Sequence, residues 1–105
     1  SEMLLVAAEA ALKTGGDADS YVNALRRNRI VGYDDVATVT LEDILNGRRK
    51  EFFAEGQIAF DFWRNGLEVA NGSLVTGPQD YRTVLPFPKE EIDLAKGLLM
   101  QNPGY

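Results

Sequence analysis

Glu2-Met3-Leu4-Leu5-Val6-Ala7-Ala8-Glu9-Ala10-Ala11-Leu12-Lys13-Thr14, then Gly15-Gly16-Asp17, then Ala18-Asp19-Ser20-Tyr21-Val22-Asn23-Ala24-Leu25-Arg26-Arg27-Asn28, is the stretch that decides the fold. In the first run Leu4, Ala7, Ala8, Ala11 and Leu12 recur at the spacing of one helix face. Gly15-Gly16 ends that helix, because glycine takes the left-handed cap conformation without a Cβ clash. Asp17 offers an acceptor to the unpaired N–H groups that open a second helix, Ala18 to about Asn28. The expected buried face of that helix is Ala18, Tyr21, Val22 and Leu25. Two helices joined by so short a link form an antiparallel hairpin. The small alanine face of the first allows close approach. This is the grammar of a tetratricopeptide-like helical pair. No second copy follows, so no repeat array is read from the chain.

Outward from the hairpin, Val31 to Val39 reads as a connector with turn signals at Gly32 and Asp34-Asp35. Thr40 and Asp43 form a capping-box pattern, with aspartate in place of glutamate. It opens a long third helix, expected from Leu41 to about Arg64 and stopped by Asn65-Gly66. Gly47 and Gly56 weaken this helix by up to about 1 kcal/mol each relative to alanine, and Gly56 marks a kink or a close helix contact. Leu67 to Asp80, with Asn71-Gly72-Ser73 and Gly77-Pro78, reads mostly as loop. Tyr81 to Leu85 reads as a short extended segment, since Pro86 and Pro88 push preceding residues toward extended backbone. Lys89 to about Leu94 gives one helical turn, and the tail is irregular. The fold class is therefore mainly α: a tetratricopeptide-like hairpin, a long third helix and an irregular C-terminal tail.

A chain of 105 residues holds at most one domain. Its 45% hydrophobic and 26% charged fractions are those of a globular protein, which argues against disorder. A net charge of −5 repels phosphate backbones, and the clusters Arg26-Arg27-Arg29 and Arg48-Arg49 read as solvated helix faces. No nucleic-acid partner is expected. The chain has no cysteine and no histidine. That removes thiol nucleophiles, disulfides, Cys/His zinc sites and Ser-His-Asp triads, so no metal and no cofactor are expected. No run approaches the ~18 apolar residues of a membrane-spanning helix. The chain opens directly inside an apolar helical pattern, as expected of a fragment of a larger α protein.

Charged residues concentrate on the third helix: Arg48, Arg49, Glu51, Glu55, Asp61 and Arg64. Arg48 and Glu51, and Asp61 and Arg64, have the spacing that puts opposite charges on one helix face. One reading is a carboxylate pair for acid–base catalysis of glycoside hydrolysis. The other is a structural ion network of Arg48, Glu51, Glu55, Asp61 and Arg64, and it is favoured, because a neighbouring arginine lowers a carboxylate pKa where a general acid needs it raised. Phe52, Phe53, Phe60 and Trp63 lie among apolar helical positions and read as core. Tyr33 and Tyr81 fall in loop-like stretches and are the candidates for an exposed glycan contact. Gly15-Gly16 lacks the pattern of a phosphate-binding loop and precedes an aspartate, the wrong charge for one.

Several motifs, in order, resemble the C-terminal region of the SusD/RagB family. Ser1 to Ala10 is similar to its E-x-x-L-x-x-A-E-A helix, and Tyr21 to Arg26 to its N-x-x-R helix. Ile44 to Arg64 is similar to its I-L-x-E-R-R-x-E-x-x-x-E-G-x-R-x-x-D-L-x-R pattern. Leu85-Pro86-Phe87-Pro88 and the final Gln101-Asn102-Pro103-Gly104-Tyr105 complete the match, which leaves only Leu67 to Asp80 as a variable part. Gly47 stands where the family usually has glutamate, Ile58 where it has arginine, Asn28 where a second arginine is common, and Ala95-Lys96 where Asn-Pro is frequent. Those departures thin the ion network.

The resemblance implies a helical, non-catalytic protein, lipid-anchored at the outer membrane and exposed on the cell surface. It implies binding of glycans or other nutrients, with a SusC-like TonB-dependent transporter as partner. Residues 1–105 would then be the C-terminal SusD/RagB-like domain of a longer chain, with the lipidated cysteine and much of the ligand site upstream. No glycan-contact residue carries over from the family. A free-standing helical protein–protein interaction module and a carboxylate enzyme using Glu51, Glu55 or Asp61 remain as alternatives.

Overall fold

The computed structural model describes all residues from Ser1 to Tyr105 and divides into two compact units, Ser1–Asp61 and Phe62–Tyr105. In the first, α1 (Glu2–Thr14) ends at Gly15, whose φ of 75° is the left-handed cap expected of it. α2 (Ala18–Arg27) opens with the Asp17 carboxylate accepting from the Ser20 N–H at 3.0 Å. α1 packs against both α2 and α3 (Leu41–Glu51). The core joins Leu5 and Ala8 of α1, Val22 and Leu25 of α2, Val39, and Ile44 of α3. The buried stripe of α2 runs through Ala18, Val22 and Leu25 but is turned toward Asn23, which leaves Tyr21 exposed where the sequence had placed it inside.

Two polar side chains of α2, one helical turn apart, hold the connector. Asn23 donates to the Val36 carbonyl at 2.9 Å and accepts from the Val36 N–H at 3.0 Å. Asp19 accepts from the Val39 N–H at 2.8 Å, and Val39 thereby enters the core. The capping box at Thr40 is formed: Asp43 N–H donates to Thr40 Oγ1 at 3.2 Å, and Thr40 N–H to Asp43 Oδ2 at 2.9 Å. Gly47 allows α3 to lie close on α1, because a Cβ there would stand 3.2 Å from Leu5 Cδ2.

The long third helix is two helices. α3 ends at Glu51, and α4 (Ile58–Arg64) begins after a turn at Phe52–Gln57. Within the turn Ala54 has φ 65° and Gly56 φ 73°, both in the left-handed region that a right-handed helix excludes. The break also redirects the aromatics. Phe52 packs against the core, whereas Phe53 and Phe60 are largely exposed, contrary to the core role read for them.

In the second unit, Leu67–Asp80 contains a hairpin rather than plain loop. β1 (Val69–Asn71) and β2 (Leu74–Thr76) pair antiparallel, with Asn71 opposite Leu74 across the two-residue turn Gly72-Ser73. Gly72 has φ 61°, which a short hairpin turn needs at that position. Tyr81–Thr83 forms a 3₁₀ turn where an extended segment was expected, because the Asp80 carboxylate accepts the Arg82 N–H at 2.9 Å and winds the chain. Extended backbone begins only at Val84, and α5 (Lys89–Leu94) is the single helical turn expected. No helix is long and apolar enough to cross a membrane.

Candidate functional site

Among the charged residues read as one network, Arg48 meets Asp61 and Glu51 meets Arg29. Arg48 and Asp61 are both buried, and Arg48 Nε donates to Asp61 Oδ2 at 2.6 Å. The turn after α3 carries Asp61 back to Arg48, thirteen residues earlier. The Arg48 guanidinium also lies over the Phe52 ring, 5.1 Å from its centroid, and its Nη1 is buried without a hydrogen-bond partner. Glu51, expected to meet Arg48, is instead gripped by Arg29, whose Nε reaches both carboxylate oxygens at 3.1 and 3.2 Å. That grip holds the Glu51 carboxyl below the usual glutamate range. Glu55 and Arg64 are exposed. A carboxyl lowered by an arginine and a carboxylate buried against another are suited to holding structure, and a general acid needs the opposite shift.

Tyr33 is half-buried and occupied. Its hydroxyl donates to Asn23 Oδ1 at 2.6 Å, and the Arg26 guanidinium lies 4.7 Å over its ring. Beside it, a groove of about 560 Å³ opens along α2 and α3. Its floor includes Leu5, Val22 and Leu25, and Arg26, Lys50 and Asp43 stand among its lining residues.

Tyr81 lies in the second unit and is 48% exposed. It borders a cleft of about 310 Å³ with Gln79, Asp80, Thr83 and Asn102. Arg82 bends back onto Asp80 and also donates from Nη2 to the Val75 carbonyl at 3.1 Å, which ties the 3₁₀ turn to β2. Hydrogen bonding by Arg82 depresses the Asp80 carboxyl to about 2.

The terminal Gln101-Asn102-Pro103-Gly104-Tyr105 is a clamp on the extended segment before α5. Gln101 accepts from the Phe87 N–H at 2.8 Å and donates to the Phe87 carbonyl at 3.0 Å, as a neighbouring strand would. Asn102 donates to the Leu85 carbonyl at 2.7 Å, and the Tyr105 hydroxyl to the Val84 carbonyl at 2.9 Å. The Tyr105 ring meets Tyr81 edge-on at 5.1 Å. Gly104 lies so near Tyr81 that a Cβ would come within 2.5 Å of the ring. The motif therefore fixes the Tyr81 ring, over which the Arg82 guanidinium also lies, 6.0 Å from its centroid. Arg29, Arg82 and the clamp were not read from sequence as contact-making groups. In the sequence Gln101-Asn102 stands beside Pro103, and its polar side chains were the available signal.

Comparison with known proteins gives a single direction. The sequence model of the SusD family matches residues 1–105. The starch-binding protein SusD of Bacteroides thetaiotaomicron is 31% identical over the whole of this chain, which spans 20% of that protein's length. The crystal structure of a SusD superfamily protein from Bacteroides vulgatus superposes with a TM-score of 0.83 at 33% identity, covering 99% of this chain and 26% of that one. A second crystal structure from the same organism gives a TM-score of 0.81 at 34% identity, over 97% of this chain and 27% of that one.

Proposed function

Because this chain belongs to the SusD family, we propose that it is part of a non-catalytic glycan-binding protein of the outer-membrane surface. In this reading the intact protein is lipid-anchored through a segment outside these residues and delivers its ligand to a SusC-like TonB-dependent transporter. The observation that carries it is the family match across every residue, joined to a curated relative named for binding starch. A non-catalytic role is also supported by the state of the acids: Asp61 is buried against Arg48 and Glu51 is held by Arg29.

Within these residues we assign Tyr81 as the glycan contact. Its exposed ring offers an apolar face to a sugar, and Gln79, Asp80 and Asn102 line the same cleft with hydroxyl-binding groups. Tyr33 is the lesser contact, since it is half-buried and its hydroxyl is already engaged by Asn23. The test is calorimetric titration with starch-type oligosaccharides, with a glycan array beside it. Both are run on the intact parent ectodomain and on this chain. Saccharide binding that Tyr81→Ala weakens supports both statements. Binding by the parent that Tyr81→Ala leaves unchanged removes Tyr81 and keeps the family role. Absence of saccharide binding in both proteins overturns the glycan reading. Amide replacements at Glu51 and Asp61, which Arg29 and Arg48 hold, are expected to reduce stability and to leave saccharide binding in place.

The groove along α2 and α3 favours the second reading, a helical protein–protein interaction module. Capture of a peptide that Lys50→Glu in the groove lining disrupts, with no saccharide bound, would put that reading first.

A further inference from the structure

The chain contains three asparagine–glycine pairs, Asn46-Gly47, Asn65-Gly66 and Asn71-Gly72. Such pairs share one chemistry. Glycine has no side chain to shield its amide nitrogen, so once that nitrogen loses its proton to hydroxide it can attack the asparagine side-chain carbonyl. A bond forms between the glycine nitrogen and Cγ, the Cγ–Nδ2 bond breaks, and ammonia leaves. Water then opens the cyclic imide at either carbonyl, giving aspartate or isoaspartate. Sequence treats the three sites alike, but the structure does not.

Asn46 and Gly47 lie inside α3, where the Gly47 N–H belongs to the helical ladder. Attack there requires opening the middle of a helix whose next residue, Arg48, is buried. At Asn65-Gly66 the nucleophile is engaged, since the Gly66 N–H donates to the Trp63 carbonyl at 2.9 Å, and Asn65 is half-buried. At Asn71-Gly72 the asparagine is exposed and the Gly72 N–H meets no backbone carbonyl. Only the terminal Asn71–Leu74 pair of a three-pair ladder has to open. Two-stranded hairpins of this length are marginal on their own and fray from the tip. β2 is held from outside by Trp63 on the Thr76 carbonyl at 3.1 Å and by Arg82 on the Val75 carbonyl at 3.1 Å; no comparable side chain grips β1.

We infer that Asn71 is a built-in deamidation site, converted in the folded protein ahead of Asn65 and Asn46. The product adds a negative charge at the hairpin tip, and the isoaspartate form lengthens the β1 backbone so that its pairing with Leu74 is lost. The experiment is a time course of the native chain at mildly alkaline pH, followed by peptide mapping with fragmentation and an isoaspartate assay. A parallel sample is held in urea. The expected result is conversion at Asn71 first in buffer, with the three sites converging in urea, and loss of the early product in Asn71→Gln. Earlier conversion at Asn65 or Asn46 in buffer, or the same order of sites in urea, overturns the inference.

Discussion

The two units are built by different physics. Every buried residue lies in Ser1–Asp61, where helices bring Leu5, Ala8, Val22, Leu25 and Ile44 together. Phe62–Tyr105 has no buried residue at all. It is fixed by side chains that bond to backbone: Trp63 and Arg82 on β2, and Gln101, Asn102 and Tyr105 on the segment before α5. Apolar burial is non-directional and tolerates exchange of similar side chains. A hydrogen-bonded clamp stabilises less per contact but dictates atom positions. The first unit should therefore respond strongly to changes in buried groups, and the second to the loss of individual polar atoms.

The largest effect is expected at the buried ion pair. Arg48→Met removes the guanidinium bonded to the buried Asp61 carboxylate and should cost about 3–5 kcal/mol by urea denaturation. Combining it with Asp61→Leu should recover most of that loss, and failure to recover would show that the pair does more than satisfy itself. Gly104→Ala forces a Cβ against the Tyr81 ring and should cost about 1–3 kcal/mol, with loss of the ring-current shifts between Tyr81 and Tyr105 in NMR spectra. A smaller loss of about 0.5–1.5 kcal/mol is expected for Gln101→Ala, read most directly as faster hydrogen exchange at the Phe87 amide. An unchanged Phe87 amide would break the clamp description. The smallest effect is pH-dependent. The Asp80 carboxyl is depressed from an ordinary value of 3.8 to about 2 by the hydrogen bonds from Arg82. A depressed folded-state pKa means stability that is present above the ordinary value and lost as pH falls from about 4 toward about 2. An NMR titration of Asp80 should place its midpoint near 2 and return it upward in Arg82→Ala.

The same contrast explains what the sequence disclosed. The first hairpin was legible because burial imposes a helical period, and because Gly15, Asp17 and Thr40 carry local end signals. The rotation of α2 was not, since it depends on Asn23 and Asp19 reaching residues 36 and 39. The break after Glu51 was hidden among good helix formers. Only Gly56 hinted at it, while the left-handed backbone at Ala54 is imposed by tertiary structure. Losing that break gave Arg48 the wrong partner, because spacing within one helix couples it to Glu51 whereas the turn delivers Asp61. The β-hairpin escaped because three-residue strands are too short for alternation to show, although its turn was in view. Tyr81 is exposed, as the sequence suggested, but it lies in a 3₁₀ turn where an extended segment was expected, and the Tyr105 and Gly104 contacts that orient it were out of reach of local pattern.

The terminal clamp grips only main-chain atoms of Val84, Leu85 and Phe87. It is therefore indifferent to which side chains those positions carry. Leu85 is 84% exposed and Val84 55%, so neither is committed to the interior. The arrangement is a socket that holds the path of the segment through its backbone, while the Leu85 and Val84 side chains stand outside the grip.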